Sequence, residues 1–118
     1  MSSKRAAHEM TFGKNSQILK NLRMNQKPKT PKQLERHLKG VANHWRIAIL
    51  LTVANQDGVS LDQICQSVSG NIKTISEHTR RLVLAGLLEK KYHGSTVEHH
   101  LTPYGKTMYS FLSQFSNS

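Results

Sequence analysis

Residues 69–88 carry the polar side chains whose types and spacing most clearly define a chemistry, and they read SGNIKTISEHTRRLVLAGLL. At helical spacing, one side of this segment presents short hydrogen-bonding groups and cations: Lys73, Thr74, Ser76, Glu77 and Arg80. Side chains of these kinds contact base edges and phosphates when a helix enters the major groove of DNA, which is wide enough to admit one. The segment therefore predicts a DNA recognition helix.

The recognition helix needs a second, buried side to hold it in place. Apolar residues recur at helical spacing at Ile72, Ile75 and Leu82, which predicts that this side packs against the rest of the domain. Asn71 is a favourable N-cap residue. Gly86 stands where the helix should end, because glycine enters the left-handed conformation beyond a helix terminus without steric cost.

Composition restricts the partners of the chain. The 118 residues carry a formal net charge of +10 and an isoelectric point near 10.1, which favours nucleic acid over a membrane surface. The alternative is a protein that is merely basic. One cysteine excludes an internal disulfide framework and favours a reducing, cytoplasmic location. No apolar run approaches the roughly 20 residues of a membrane span, and an aromatic content of 6% argues against a stacking platform for single strands.

Three helices are expected before the recognition helix. Thr30 is a candidate N-cap for the first, and the second is predicted over residues 41–54, which are apolar on nearly every side and should therefore be buried. The third begins at Ser60, whose spacing to Gln63 matches a capping box. With the turn at residues 69–70, the third helix and the recognition helix form a helix-turn-helix.

A β-hairpin is predicted after the recognition helix, because the apolar period changes from helical spacing to alternation. Residues 88–92 and 97–101 flank a turn at Gly94 and Ser95. The expected register pairs Leu88 with Leu101, Tyr92 with Val97, Lys91 with Glu98, and Glu89 with His100. Apolar groups thus meet on one face and complementary polar groups on the other, so a slip of one residue would break every pair.

A last helix follows Thr102 and Pro103, which repeat the N-cap and first-turn signature. Five apolar residues lie on one stripe of this helix: Tyr104, Met108, Phe111, Leu112 and Phe115. Such a stripe either packs on its own domain or meets its copy in a dimer, and we favour the dimer.

This order of elements is mainly α with a small β-hairpin, α-α-α-α-β-β-α, which is the order of a winged helix-turn-helix domain. Residues 41–109 resemble bacterial and archaeal transcriptional regulators of the arsenic-repressor (ArsR-like) type. The matching segments are HWRIAIL at 44–50, TISEH at 74–78, RL at 81–82, AGL at 85–87 and LTPYG at 101–105. Regulators of the multiple-antibiotic-resistance (MarR-like) type share the wing and the last motif, but they have a longer C-terminal helical region.

The resemblance implies a cytoplasmic, nucleoid-associated prokaryotic homodimer that binds double-stranded DNA at a roughly palindromic operator, as a repressor. The residues it places at DNA are Asn71, Lys73, Thr74, Ser76, Glu77, Arg80 and Arg81 on the recognition helix, and Lys90, Lys91, His93 and Ser95 on the wing. Thr74, Ser76 and Glu77 would face base edges, and the cations would lie near phosphates. The implied dimer interface comprises Leu34, Leu38, Tyr104, Met108, Phe111, Leu112 and Phe115.

The metal-sensing half of that family is not supported by this sequence. Its members bind metals through cysteine pairs on the third helix or through His, Asp and Glu on the last. Here Cys65 stands alone on an apolar face, as a small hydrophobic residue would, and the last helix contains no His, Asp or Glu. His93, His99 and His100 are close in sequence, but the last two point to opposite faces of a strand. We therefore expect no metal and no cofactor.

Residues 1–29 carry seven Lys or Arg and one Glu, which favours a flexible basic arm ahead of a domain over residues 30–118. The arm either lies along DNA phosphates or is a solubilising terminus. Two further functions stay open: a winged-helix architectural protein that coats DNA with little sequence preference, and a protein-interaction module. No motif of an enzyme is present, since the chain has neither a phosphate loop nor a nucleophile–base pattern.

Overall fold

The computed structural model describes residues 27–117. The predicted basic arm lies outside these residues except for its last three, which have no regular secondary structure. The described residues form five helices and one two-stranded sheet, in the order α1 (Pro31–Val41), α2 (His44–Asn55), α3 (Leu61–Val68), α4 (Ile72–Leu84), β1 (Leu88–His93), β2 (Thr96–Leu101) and α5 (Pro103–Ser116). The predicted fold class is confirmed. None of these helices combines the length and the apolar character needed to cross a bilayer.

The boundary between the first two helices differs from the prediction of one helix over residues 41–54. Val41 is the last residue of α1, and α2 begins only at His44. The cause is Asn43, whose side-chain oxygen accepts hydrogen bonds from the backbone N–H groups of Trp45 and Arg46 at 2.9 and 3.2 Å. Because this N-cap satisfies N–H groups that have no partner within the helix, it favours a new start over continuation.

The core is built around α2, as its apolar composition predicts. Ile49, Leu50 and Val53 of α2 are at most 1% exposed, and α2 contacts α1, α3, α4, β2 and α5. The remaining members of the buried apolar cluster are Val41, Val59, Ile64, Ile75, Leu82, Ala85, Leu87 and Leu88. Every described helix except α5 therefore contributes at least one fully buried apolar residue, and α5 covers the cluster from one side with Met108 and Leu112.

The hairpin has the predicted register. Leu88 pairs with Leu101, Glu89 with His100, Lys91 with Glu98, and Tyr92 with Val97. The turn at Gly94 and Ser95 is made possible by Gly94, whose φ of +64° is costly for other residues. A further antiparallel bridge joins His99 of β2 to Val59, just before α3. The hairpin is therefore fixed to the helical core through β2, while β1 forms the outer strand.

Candidate nucleic-acid interface

The turn between α3 and α4 sets the direction of the predicted recognition helix. Ser69 ends α3 in the left-handed conformation, with φ of +56°. Gly70 follows, and a Cβ atom there would lie only 2.5 Å from the side chain of Ile75, so no larger residue fits without a shift. Asn71 then caps α4, because its side-chain oxygen accepts from the N–H of Thr74 at 3.0 Å. This cap leaves only the amide nitrogen of Asn71 for the predicted DNA contact.

Helix α4 has two opposite faces with different chemistry. Ile75, Thr79 and Leu82 are at most 2% exposed and face the core. On the other side Lys73, Ser76, Arg80 and Arg81 are exposed, and Thr74 and Glu77 are half-buried. The predicted arrangement of α4 is therefore present in the structure.

Ile72 is placed differently from the prediction. The sequence pattern assigned it to the buried face of α4, but its side chain is 53% exposed. Ile72 is the first residue of α4, and the buried stripe begins only at Ile75, one turn into the helix. An apolar side chain at this end of the helix is suited to contact the methyl group of a thymine.

Glu77 binds two arginines of its own helix. The Nε and Nη2 atoms of Arg80 donate to its two oxygens at 3.0 and 2.7 Å, and the Nε of Arg81 donates at 3.1 Å. These hydrogen bonds lower the pKa of Glu77 to about 2, so it is ionised at neutral pH. For Glu77 to accept from a base, as its predicted role requires, it would have to release an arginine. In this arrangement it orients two guanidinium groups instead.

A contact between α2 and α4 involves a residue that the sequence did not single out. Nη1 of Arg46 donates to Nδ1 of His78 at 3.0 Å, and Nη2 donates to the carbonyl oxygen of Lys39 at 3.3 Å. Burial and the nearby charges of Arg46 and Arg81 lower the pKa of His78, which fits its role as a neutral acceptor. His78 therefore forms a hydrogen bond within the domain.

His37 fixes the other end of α4. Its ring is buried in α1, and Nδ1–H donates to the carbonyl oxygen of Ala85 at 2.7 Å. Ala85 is the C-cap of α4, so this bond satisfies one of the carbonyl groups that a helix end leaves without a partner. Only the position of His37 four residues before Val41, on the buried side of α1, is visible in the sequence; its partner Ala85 lies 48 positions away.

The hairpin extends the basic surface beside α4. Lys90, Lys91, His93 and Ser95 are all exposed, and so is Tyr92, which is 67% exposed despite its predicted apolar pairing with Val97. The side chain of Glu98 turns towards two histidines rather than to Lys91: Nε2 of His100 lies 3.0 Å away and Nε2 of His93 lies 3.5 Å away. Lys91 makes no ion pair within residues 27–117, so its charge is available to an outside partner.

Solved structures with the same architecture identify the fold, whereas no protein-family model and no curated protein matches the sequence. HlyU from Vibrio cholerae N16961 superposes with a TM-score of 0.68, covering 78% of this chain and all of its own, at 22% identity. A fragment (residues 1–100) of Mb0332 from Mycobacterium bovis, described as a homodimeric winged helix-turn-helix DNA-binding domain of a possible ArsR-family transcriptional regulator, superposes with a TM-score of 0.65. It is 19% identical and covers 78% of this chain and 91% of its own. The fold is a winged helix-turn-helix.

A third solved structure shares this fold. AntR, an antimony-specific transcriptional repressor, superposes with a TM-score of 0.65 at 16% identity, covering 79% of this chain and 87% of its own. These likenesses assign names to the parts of the present chain: α3 and α4 are the helix-turn-helix, and β1 and β2 are the wing. The expected winged-helix architecture is confirmed.

The histidines of the wing are used within the domain. His99 is buried, and Nδ1–H donates to the carbonyl oxygen of Val59 at 2.9 Å. His100, on the opposite face, bonds Asp57 through Nδ1 at 2.9 Å and Glu98 through Nε2 at 3.0 Å. No group of three or more His, Cys, Asp or Glu residues in the described part of the chain is arranged to hold a metal ion. Cys65 is half-buried against the core, and burial together with Asp62 raises the pKa of its thiol.

The stripe on α5 is divided between the core and the surface. Met108 and Leu112 are half-buried against the core cluster. The rest of the predicted dimer residues are exposed apolar groups: Leu34 at 48%, Leu38 at 50%, Tyr104 and Phe111 at 52%, and Phe115 at 73%. The rings of Phe111 and Phe115 stack with their centres 5.9 Å apart. One edge of the stripe therefore packs on its own domain and the other is exposed, and the dimer contact stays a prediction.

The His100 contacts predict a pH-dependent stability of the wing. Its two carboxylate partners raise the pKa of His100 above the ordinary value of 6.5. A raised pKa in the folded state means that the stabilisation is complete below pH 6.5 and is lost as the pH rises through the folded pKa. We expect the excess free energy of unfolding of the native chain over His100→Gln to be larger at about pH 5.5 than at about pH 8.5, as measured by urea unfolding.

Comparing the native protein with the His100→Gln variant isolates the contribution of His100. His99 and His78, whose pKa values are lowered by burial, contribute in the opposite direction but are present in both proteins. Ser110→Gln, at an exposed position of α5, introduces the same side chain without removing a titratable group, and as the control it should show no such trend. An excess for the native chain that is constant or grows with pH would contradict the assignment.

Proposed function

We propose that this protein is a homodimeric, sequence-specific DNA-binding regulator of transcription, acting as a repressor. The observation that carries the proposal is the two-faced helix α4, whose apolar side is buried while most of its cationic and hydroxyl side chains are exposed. Two of the similar structures support it, because Mb0332 is a homodimeric DNA-binding domain and AntR is a transcriptional repressor.

In the proposed complex, α4 enters the major groove with its exposed face towards the bases. Ser76 and Thr74 are short hydroxyl groups that read base edges, and Ile72 contacts a thymine methyl group. Lys73 approaches a phosphate near the start of the helix. Arg80 and Arg81, oriented by Glu77, contact phosphates farther along. The Asn71 amide nitrogen is a further donor at the first turn.

The wing contributes contacts outside the major groove. Lys90, Lys91, His93 and Ser95 are exposed on the hairpin, and we place them against the sugar-phosphate backbone or the adjacent minor groove. Lysines in such positions supply affinity rather than specificity, because they neutralise phosphates and release counterions on every sequence. Binding should therefore weaken steeply as the salt concentration rises.

The dimer is proposed to form through the exposed apolar surface of α1 and α5. Leu34 and Leu38 contribute from α1, and Tyr104, Phe111 and Phe115 from α5. Several exposed large apolar residues on two helices mark an interaction surface more often than a solvated one. A two-fold dimer would present two copies of α4 to successive major grooves about 34 Å apart, which matches a roughly palindromic site.

The first test separates base reading from phosphate binding. Lys73→Ala should weaken binding equally on a specific duplex and on a scrambled duplex, and should reduce the salt slope by about 1. Ser76→Ala should instead cost about 1–3 kcal/mol on the specific duplex alone, because only there does the hydroxyl meet its base. Fluorescence anisotropy over a salt series measures both effects, with Lys106→Ala on α5 as the control cation.

Other outcomes of this titration identify other functions. Equal losses on both duplexes for Ser76→Ala would contradict a base-reading role. If the native protein binds the specific and the scrambled duplex equally well, an architectural DNA-coating protein would be favoured. The net charge of +10 is consistent with that function. Weak binding to both would favour the protein-interaction module.

The second test concerns the dimer. Phe111→Glu places a charge in the proposed apolar interface, where it would lose its hydration without a partner. We expect this variant to sediment as a monomer at concentrations at which the native chain is a dimer, with its helical circular dichroism unchanged. Lys106→Glu, on the opposite side of α5, should stay dimeric. A native chain that is monomeric, or a Phe111→Glu variant that is still dimeric, would contradict the proposed interface.

A further inference from the structure

A cationic cleft lies between α1 and the C-terminal half of α4, beside the recognition face. Its volume is about 320 Å³, and Leu84 is part of its wall. Four basic residues from three helices line it: Arg36 and Lys39 of α1, Arg46 of α2 and Arg81 of α4. The sequence showed no sign of it, because these residues are as many as 45 positions apart along the chain.

The floor of the cleft is formed where α1 and α4 approach closely. Gly40 and Ala85 line it, and a Cβ atom on Gly40 would overlap the side chain of Ala85. The two helices can pack at this distance only because position 40 has no side chain. The long basic side chains therefore surround a small floor of backbone and methyl groups.

Arg46 is a half-buried charge in the cleft with no ion pair among the described residues. Its side chain donates hydrogen bonds to two uncharged acceptors, the His78 ring and the Lys39 carbonyl. Its Nε is buried and has no partner within the described residues. Burial and the nearby Arg81 lower the pKa of Arg46, so the structure holds two guanidinium groups close enough to repel. Buried charges in proteins are normally paired, and an external anion would complete this site.

The carboxylates around the cleft do not balance its cations. Glu35 bonds Lys39 at 3.1 Å from the exposed side of α1. Glu77 bonds Arg81, but it is shared with Arg80, which lies outside the cleft. Arg36 makes no ion pair within residues 27–117. The cleft thus has an excess of positive charge, of which only Arg46 is half-buried.

We propose that this cleft binds a phosphate group, held by Arg46 and Arg81 and enclosed by Arg36 and Lys39. Guanidinium groups match the geometry of phosphate oxygens and bind them by paired hydrogen bonds. The volume exceeds that of a bare phosphate, so the group can be part of a larger molecule. Its source is either the backbone of DNA bound by α4 or a free phosphate-bearing ligand. The first source rests on the proposed function, whereas the second is independent of it.

Such a phosphate would connect three helices. Arg46 already joins α2 to α1 and to α4 through its two hydrogen bonds. A phosphate that also engages Arg36 and Arg81 would add bonds between α1 and α4. Because α1 carries Leu34 and Leu38 of the proposed dimer surface, the site would lie between that surface and the recognition helix.

The first arm of the test measures phosphate binding to the full chain without DNA. The native protein and the double variant Arg36→Gln/Lys39→Gln are titrated with inorganic phosphate against chloride of equal ionic strength, and the Trp45 indole and Arg46 side-chain resonances are followed by NMR. Both substitutions are at exposed positions, so the fold should be kept, and an unchanged thermal midpoint checks this. We expect the double variant to lose at least about tenfold in phosphate affinity, and Lys32→Gln to lose none.

The second arm measures DNA binding of the same proteins over a salt series. If a DNA phosphate occupies the cleft, the double variant should bind every duplex more weakly, with a salt slope lower by about 2. A loss in the first arm alone assigns the cleft to a free ligand, and a loss in the second alone assigns it to DNA. No difference from Lys32→Gln in either arm would overturn the proposal. If the native chain binds no DNA, the phosphate titration of the first arm still tests the cleft. Failure of the proposed DNA-binding function can therefore be distinguished from failure of the phosphate site.

Discussion

The burial of one side of α4 is the constraint on which the interface depends. Ile75 and Leu82 are completely buried within the apolar cluster around α2, and Thr79 is nearly so. Exposing such residues costs several kcal/mol each, since truncating a buried Leu or Ile to Ala already costs about 2–5 kcal/mol. A rotation of α4 by even one residue position would therefore be unfavourable. Because that rotation is fixed, the direction of its outward side chains, among them Ser76 and Arg80, is fixed as well.

Contacts at both ends and in the middle of α4 help to fix its rotation and position. At its start, Gly70 permits the close approach to Ile75, and Asn71 caps the first turn. At its end, His37 bonds the C-cap carbonyl of Ala85. In the middle, Arg46 reaches His78 from α2. The contacts made by His37 and Arg46 also bring α1 and α2 close to α4, where the basic cleft lies. The proposed phosphate site is therefore a consequence of how the recognition helix is held.

Local patterns in the sequence predict the helices and strands well, but they do not predict contacts between residues that are distant in the sequence. The hairpin register follows from alternation and a two-residue turn, and the Ser60 and Thr102 caps follow from spacings of three residues. The His37–Ala85 bond spans 48 positions, so no local pattern contains it. The family resemblance placed Glu77 at base edges, and the helix pattern shows that it shares a face with Lys73, Ser76 and Arg80. The pattern does not show which of them bond one another.

The central proposal is that α4 reads base sequence and does so as one of a symmetric pair of helices. Selection of DNA from a random pool by the full native chain is the most direct experiment. We expect an enriched site made of two inverted half-sites whose centres are about one helical turn apart, roughly 10 base pairs. Ile72→Ala should relax the preference at an A·T pair within each half-site. Recovery of unenriched sequences, or of a single site without inverted symmetry, would contradict the account.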